Sequence, residues 1–171
     1  MKFFWVLTFL FLASCVNNPR VIDHAFSFDA RNESPGIEVL NYRYGESIAP
    51  GAQVQDYSLR MGKIPQAVNI NGAFPLEDSL YVKWRDKVTG NIYEDTVDLR
   101  SRLPRNIAGQ RIHFIISGGR LFIYLIGSGR LSPNPCPSRE ELHKLAASDL
   151  PDVKVFSMYC YRKITRVYPD Q

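Results

Sequence analysis

The chain has 171 residues, 45% of them apolar and 22% charged, with a formal charge of +4. That length and balance suit one folded domain with a sizeable core and exclude wholesale disorder. A single N-terminal apolar run excludes a multi-span membrane protein, and three cysteines are too few for a disulfide-dense miniprotein or a four-cysteine zinc site.

The chain opens with Lys2, an apolar stretch from Phe3 to Leu12, and the small residues Ala13 and Ser14 before Cys15. A positive charge, a short apolar run and small residues before a cut point describe a secretory signal. An uncleaved membrane anchor is the weaker alternative, because the run is short for a bilayer span. Leu12-Ala13-Ser14-Cys15 resembles the lipobox of bacterial lipoproteins, in which the cysteine thiol is acylated and cleavage falls just before it. The resemblance implies lipidation at Cys15. With Val16 rather than Asp next, it also implies sorting to the outer membrane. Several acyl chains on one cysteine anchor stably where one alone is marginal. The expected organisation is a signal peptide over 1–14, a lipidated tether over 15–24 and one β-rich periplasmic domain over 25–171. In that oxidising space Cys136 and Cys160 are expected to pair, the alternative being two buried free thiols.

Alternation predicts a strand over Ile37–Tyr44, followed by a Gly- and Pro-containing loop over Gly45–Gln55. Val68 and Ile70 suggest a short strand running into an Asn71-Gly72 turn. Leu80–Arg85 and Ile92–Leu99, joined by Thr89-Gly90-Asn91, read as a hairpin. Arg111–Ser117 and Arg120–Ile126, joined by Gly118-Gly119, read as a second one. The return strand of that hairpin is apolar on both faces, which predicts a central, covered position. Ser138-Arg139-Glu140-Glu141 is a capping box that opens a helix with Leu142, Leu145 and Ala146 as its stripe, and Pro151 follows its end. Val153–Ser157 and Tyr161–Tyr168 are expected as closing strands. The predicted class is α+β: a mainly antiparallel, sandwich-like sheet with one late helix packed on it.

No motif for catalysis, metal or cofactor binding stands out. His24, His113 and His143 are scattered, and no nucleophile elbow, phosphate loop or zinc-protease signature occurs. The expected catalytic and metal residues are therefore none, with no cofactor and no small-molecule substrate. Charge is more informative. From Asp98 to Glu140 no acidic residue intervenes, while the interval carries Arg100, Arg102, Arg105, Arg111, Arg120, Arg130 and Arg139. Acidic residues including Glu94, Asp95 and Asp98 lie just before it. Arginine binds carboxylates and phosphates through two parallel hydrogen bonds and is enriched at protein interfaces. The candidate partner-binding residues are Arg100, Arg102, Arg105, Glu94, Asp95 and Asp98. Ordinary ion pairs across the hairpins are the alternative. Nucleic acid is not expected as a partner in this compartment.

The run LYVKWRDKVTGNIYEDTVDLRSRLP over 80–104, RIHFII over 111–116, LFIYLI over 121–126 and VYPD over 167–170 resemble a group of small bacterial lipoproteins. These are similar to immunity proteins encoded beside type VI secretion phospholipase effectors. The resemblance covers about residues 75–126 and the tail, with the lipobox added. It implies a non-catalytic protein that binds a phospholipase toxin in the periplasm and blocks it, held at the membrane by its lipid anchor. A structural or assembly lipoprotein of an envelope machine is the alternative reading. An enzyme is a third, which would need acids and histidines converging in space.

Overall fold

A computed structural model describes residues 20–170. The expected signal peptide over 1–14 and the expected lipidation site Cys15 lie outside the described residues. In chain order the elements are β1 (Val21–Asp29), α1 (Ala30–Glu33), β2 (Ile37–Tyr44), α2 (Asp56–Met61), β3 (Ala67–Pro75), β4 (Ser79–Asp86), β5 (Ile92–Asp98), β6 (Arg111–Ser117), β7 (Arg120–Arg130), α3 (Arg139–Ala146), α4 (Pro151–Tyr159) and β8 (Arg162–Tyr168).

The strands form a five-stranded sheet, β3-β1-β6-β7-β8, and a three-stranded sheet, β2-β4-β5. Every pairing is antiparallel except β1 with β6, which run parallel. The class is the α+β, sandwich-like one expected from the sequence. Aromatic side chains fill the space between the sheets. Phe26 stacks on Tyr44, and Phe28 stacks on Phe114, with ring centroids 5.0 and 4.4 Å apart. The opposite face of the larger sheet is covered in part by α4, on which α3 rests. Val155, Met158 and Tyr159 of α4 pack on Ile115, Phe122, Tyr124 and Ile126, while α3 buries no residue of its own. As expected, β7 is central and buried on both faces, from Leu121 to Ile126.

Both expected hairpins form, and the capping box is present. The Glu141 amide donates to Ser138 Oγ, and the Ser138 amide donates to Glu141 Oε2. Three expectations are corrected. Residues 21–24, assigned to the tether, belong to β1, and His24 is 2% exposed. The alternation of Ile22, His24, Phe26 and Phe28 points one face of this stretch into the core. Asn71-Gly72 is not a turn but lies inside β3, opposite Ala25 and His24. Val153–Ser157 is helical, not a strand. Pro151 sits in the first turn of α4, where its missing N–H costs nothing, so it starts a helix and does not merely end one. The late helix is therefore a pair. The disulfide Cys136–Cys160 ties the loop before α3 to the end of α4, across a sequence separation of 24.

The tautomer of His24 follows from its partners. Its Nδ1–H donates to the Ile22 carbonyl at 2.8 Å, and its Nε2 accepts from the Tyr44 hydroxyl at 3.2 Å. The Tyr44 oxygen in turn accepts the Glu77 amide. Burial lowers the imidazole pKa below 6.5, against smaller opposing contributions from the Ile22 carbonyl and Asp23. The folded chain thus refuses a proton that the unfolded chain takes, so stability is level above pH 6.5 and falls as pH drops below it. Melting curves of the native protein and His24→Leu between pH 5 and 8 should converge on acidification. Parallel curves would show that His24 does not contribute. Replacing both Cys136 and Cys160 by serine is expected to cost about 3 kcal/mol through loop closure. Urea denaturation measures this, and a loss below about 1 kcal/mol would contradict it.

Candidate functional site

The helix pair leaves part of the outer face of the larger sheet open. There a cleft of about 500 Å³ is lined by Ser27, Asp29, Glu33, Arg111, His113 and Tyr159, among others. Strand register builds its floor. Asn69 of β3, Ser27 of β1, His113 of β6 and Tyr124 of β7 lie on one row, since each is the partner of the next. Ser27 and His113 are 5% and 2% exposed.

Short-range chemistry at the end of β1 brings the third member. Asp29 caps α1 by accepting the Arg31 and Asn32 amides, which turns the chain sharply after the strand. Glu33 then folds back, and its Oε2 accepts the Asp29 amide. That places Glu33 Oε2 3.0 Å from His113 Nε2, while His113 Nδ1 is 2.9 Å from Ser27 Oγ. The Nε2 contact is close enough for an ion pair, yet Nε2 makes no well-aligned hydrogen bond. From α4, Lys154 Nζ donates to the Glu33 carbonyl at 2.7 Å, and the Tyr159 ring stands edge-on to His113. Burial raises the Tyr159 pKa.

Serine, histidine and glutamate in this order match the residue types of a nucleophilic triad. Acyl transfer also needs unspent donors aimed at the developing oxyanion. Ser27 lies inside a strand paired on both sides, to β3 and β6, so the amides around it serve the sheet. The arrangement therefore fixes an imidazole between two oxygens and forms a polar, mutually bonded floor to the cleft. At the rim, the Arg111 guanidinium donates to the Asn69 and Asn71 side-chain oxygens at 2.6 and 3.0 Å. Among the described residues it makes no ion pair, so its charge stays available to an anion.

The residues singled out from the sequence lie elsewhere, along the seam of β5 with β8 and in the loop before β6. Arg100 donates to both oxygens of Asp98, which holds that exposed carboxyl down to about 2. Arg102 pairs with Asp170 and donates to the Val167 carbonyl. Asp95 accepts from the Tyr168 hydroxyl, and Glu94 contacts Lys83 and the Tyr81 hydroxyl. Arg105 is exposed, and its carbonyl accepts from Arg20. Within this group the only mutual ion pair is Arg100 with Asp98. The cleft residues Ser27, Glu33 and His113 were not legible as a site, since 86 positions separate Ser27 from His113. Only the parallel pairing of β1 with β6 joins them. Arg111 did carry a signal, as part of the acid-free interval. Comparison with known protein families, characterised proteins and solved structures returned no match for this chain.

Removing the Glu33 carboxylate leaves a buried imidazole nitrogen facing no oxygen. Glu33→Ala is expected to cost about 2 kcal/mol, and Glu33→Gln, which keeps an acceptor, about half of that or less. Urea unfolding of both variants checks this ordering. Equal losses would mean that the contact with His113 is not what Glu33 provides.

Proposed function

We propose that this chain is a lipoprotein of the outer membrane, anchored through Cys15, whose periplasmic domain binds and neutralises a secreted toxin of the phospholipase class. The observation that carries the binding role is the open cleft on the outer face of the larger sheet. Its floor groups Ser27, His113 and Glu33 are engaged with one another, whereas Arg111 at its rim is held only by two neutral amide oxygens. A rigid floor loses little entropy on association. A guanidinium without a carboxylate partner offers a bidentate contact to an acidic group of an incoming protein. The Cys136–Cys160 disulfide suits an oxidising compartment. A lipid anchor would hold the inhibitor at the surface where a lipase works. The phospholipase class itself rests on the sequence resemblance.

The test captures partners of the membrane-purified protein from the envelope and secreted fractions of its own host, followed by calorimetry. The expected result is a one-to-one complex with one lipase-like enzyme, weakened roughly tenfold or more by Arg111→Glu. Retention of several envelope-machine proteins and no secreted enzyme would favour an assembly lipoprotein instead. Unaltered affinity of the Arg111 variant would take the cleft out of the interface.

A further inference from the structure

At the end of the larger sheet where β1 begins, where Tyr161 and Arg162 close one side of the cleft, two arginines face each other. Arg130 and Arg162 are register partners on β7 and β8. Their guanidinium carbons lie 5.6 and 5.4 Å from the centroid of the same ring, Tyr161. Arg162 also donates to the Gly127 carbonyl at 3.2 Å, and its Nε is buried without a hydrogen-bond partner. Among the described residues neither arginine makes an ion pair. Like charges directly opposite on neighbouring strands are destabilising, and one tyrosine ring offsets this only in part. An anion held between the two guanidinium groups would relieve that repulsion.

The location says which anion. The Asp23 carbonyl accepts the Gly109 amide at 2.8 Å, and a Cβ on Gly109 would come within 3.2 Å of the Ser128 side chain. The first residues of β1, the loop before β6 and the end of β7 thus share one end of the domain. Exposed apolar residues sit there too: Val21 is 61% and Leu131 42% exposed, and the Leu131 amide donates to the Tyr161 carbonyl. Arg20 and Arg105 add positive charge at the same end. Cys15 precedes Val21 by six positions. Six residues reach at most about 21 Å, so a lipid on Cys15 keeps this end of the domain near the bilayer surface.

We propose that Arg130 and Arg162, flanking Tyr161, bind the phosphate of a phospholipid headgroup, with Val21 and Leu131 against the interface. Guanidinium groups suit phosphate because they donate two parallel hydrogen bonds to it. The lipid, as against a free phosphate ion, rests on the reading of Cys15 as the anchored residue.

The test uses the full-length protein purified from membranes in a non-ionic detergent. Nε–Hε resonances of Arg130 and Arg162 are followed by NMR during titration with dihexanoyl phosphatidylglycerol, inorganic phosphate, or chloride at matched ionic strength. Saturable shifts with phosphatidylglycerol, tighter than with inorganic phosphate and absent with chloride, are expected. Arg130→Gln and Arg162→Gln should each weaken binding roughly tenfold in a protein that still unfolds in one cooperative transition. Arg162→Lys, which keeps the charge but not the fork, should also weaken it. Saturation by inorganic phosphate alone would overturn the lipid assignment, and no saturable shift with either would overturn the site. Mass spectrometry of the same sample reads the acylation of Cys15. An unmodified Cys15 with phosphatidylglycerol binding intact would overturn the anchor and leave the site standing.

Discussion

Strand β1 is paired on both sides, along its whole length to β3 and over Ala25–Ser27 to β6. A strand so placed must satisfy two different environments with alternate residues. His24, Phe26 and Phe28 point between the sheets, where the aromatic stack forms. Ala25 and Ser27 point to the other face, under Arg111 and beside His113. A slip of one residue would drive Ser27 into the aromatic core and bring Phe26 and Phe28 out into the cleft. The register that buries the core is thus the same register that sets Ser27 opposite His113. The cap at Asp29, which brings Glu33 back to the imidazole, depends on where that strand ends. The cleft is a consequence of core packing and needs no separate organising element.

The two sheets are joined by polar contacts at their margins, around the aromatic centre. Gln66 receives the Val39 amide and donates to the Val39 carbonyl, at 2.8 and 2.9 Å, so a side chain imitates a neighbouring strand at the edge of β2. Trp84 Nε1–H donates to the Gly118 carbonyl, tying β4 to the β6–β7 turn, where Gly118 takes a left-handed φ of 55°. The Tyr168 hydroxyl reaches Asp95 across the other margin. His24, Tyr44 and Glu77 form the fourth tie, with the neutral imidazole accepting from the Tyr44 hydroxyl. These contacts satisfy buried and half-buried polar groups at the places where the layers meet.

Sequence reading reached the hairpins β4–β5 and β6–β7 and the capping box of α3, because their signals are local: period-two alternation, turn residues and a serine–glutamate spacing. It missed β1 as a whole, whose first four residues, with Asp and His among them, look polar until the partner strand is known. It also misread α4. Val155, Met158 and Tyr159 are spaced for a helix face, but the short apolar cluster Val153–Phe156 reads equally as a strand. The cleft was out of reach for a different reason. Nothing in the surroundings of Ser27, Glu33 or His113 along the chain marks them. Their association is created by a parallel pairing between strands 86 positions apart, which is a property of topology and not of any motif.

The acid-free interval shows how one compositional feature divides once the chain is folded. Arg100 and Arg102 find carboxylates at the seam of the sheets, and those charges are spent inside the domain. Arg120 lies over the Phe122 ring, and Arg111 spans Ala25 to reach two asparagines. Arg130, with Arg162 from the following strand, is left around a single tyrosine. The difference is one of position. The seam lies beside β5, whose sequence supplies Glu94, Asp95 and Asp98, whereas the end where β1 begins is built from Gly-, Ser- and Arg-rich chain with few acids. Helix and sheet propensities do not require arginine there, and lysine or serine would serve solubility as well. A planar, permanently charged group repeated across a strand pair, with an aromatic face between, is a chemistry for holding oxyanions. On the proposed anchoring through Cys15, six positions before Val21, that chemistry is the part of the domain turned to the bilayer.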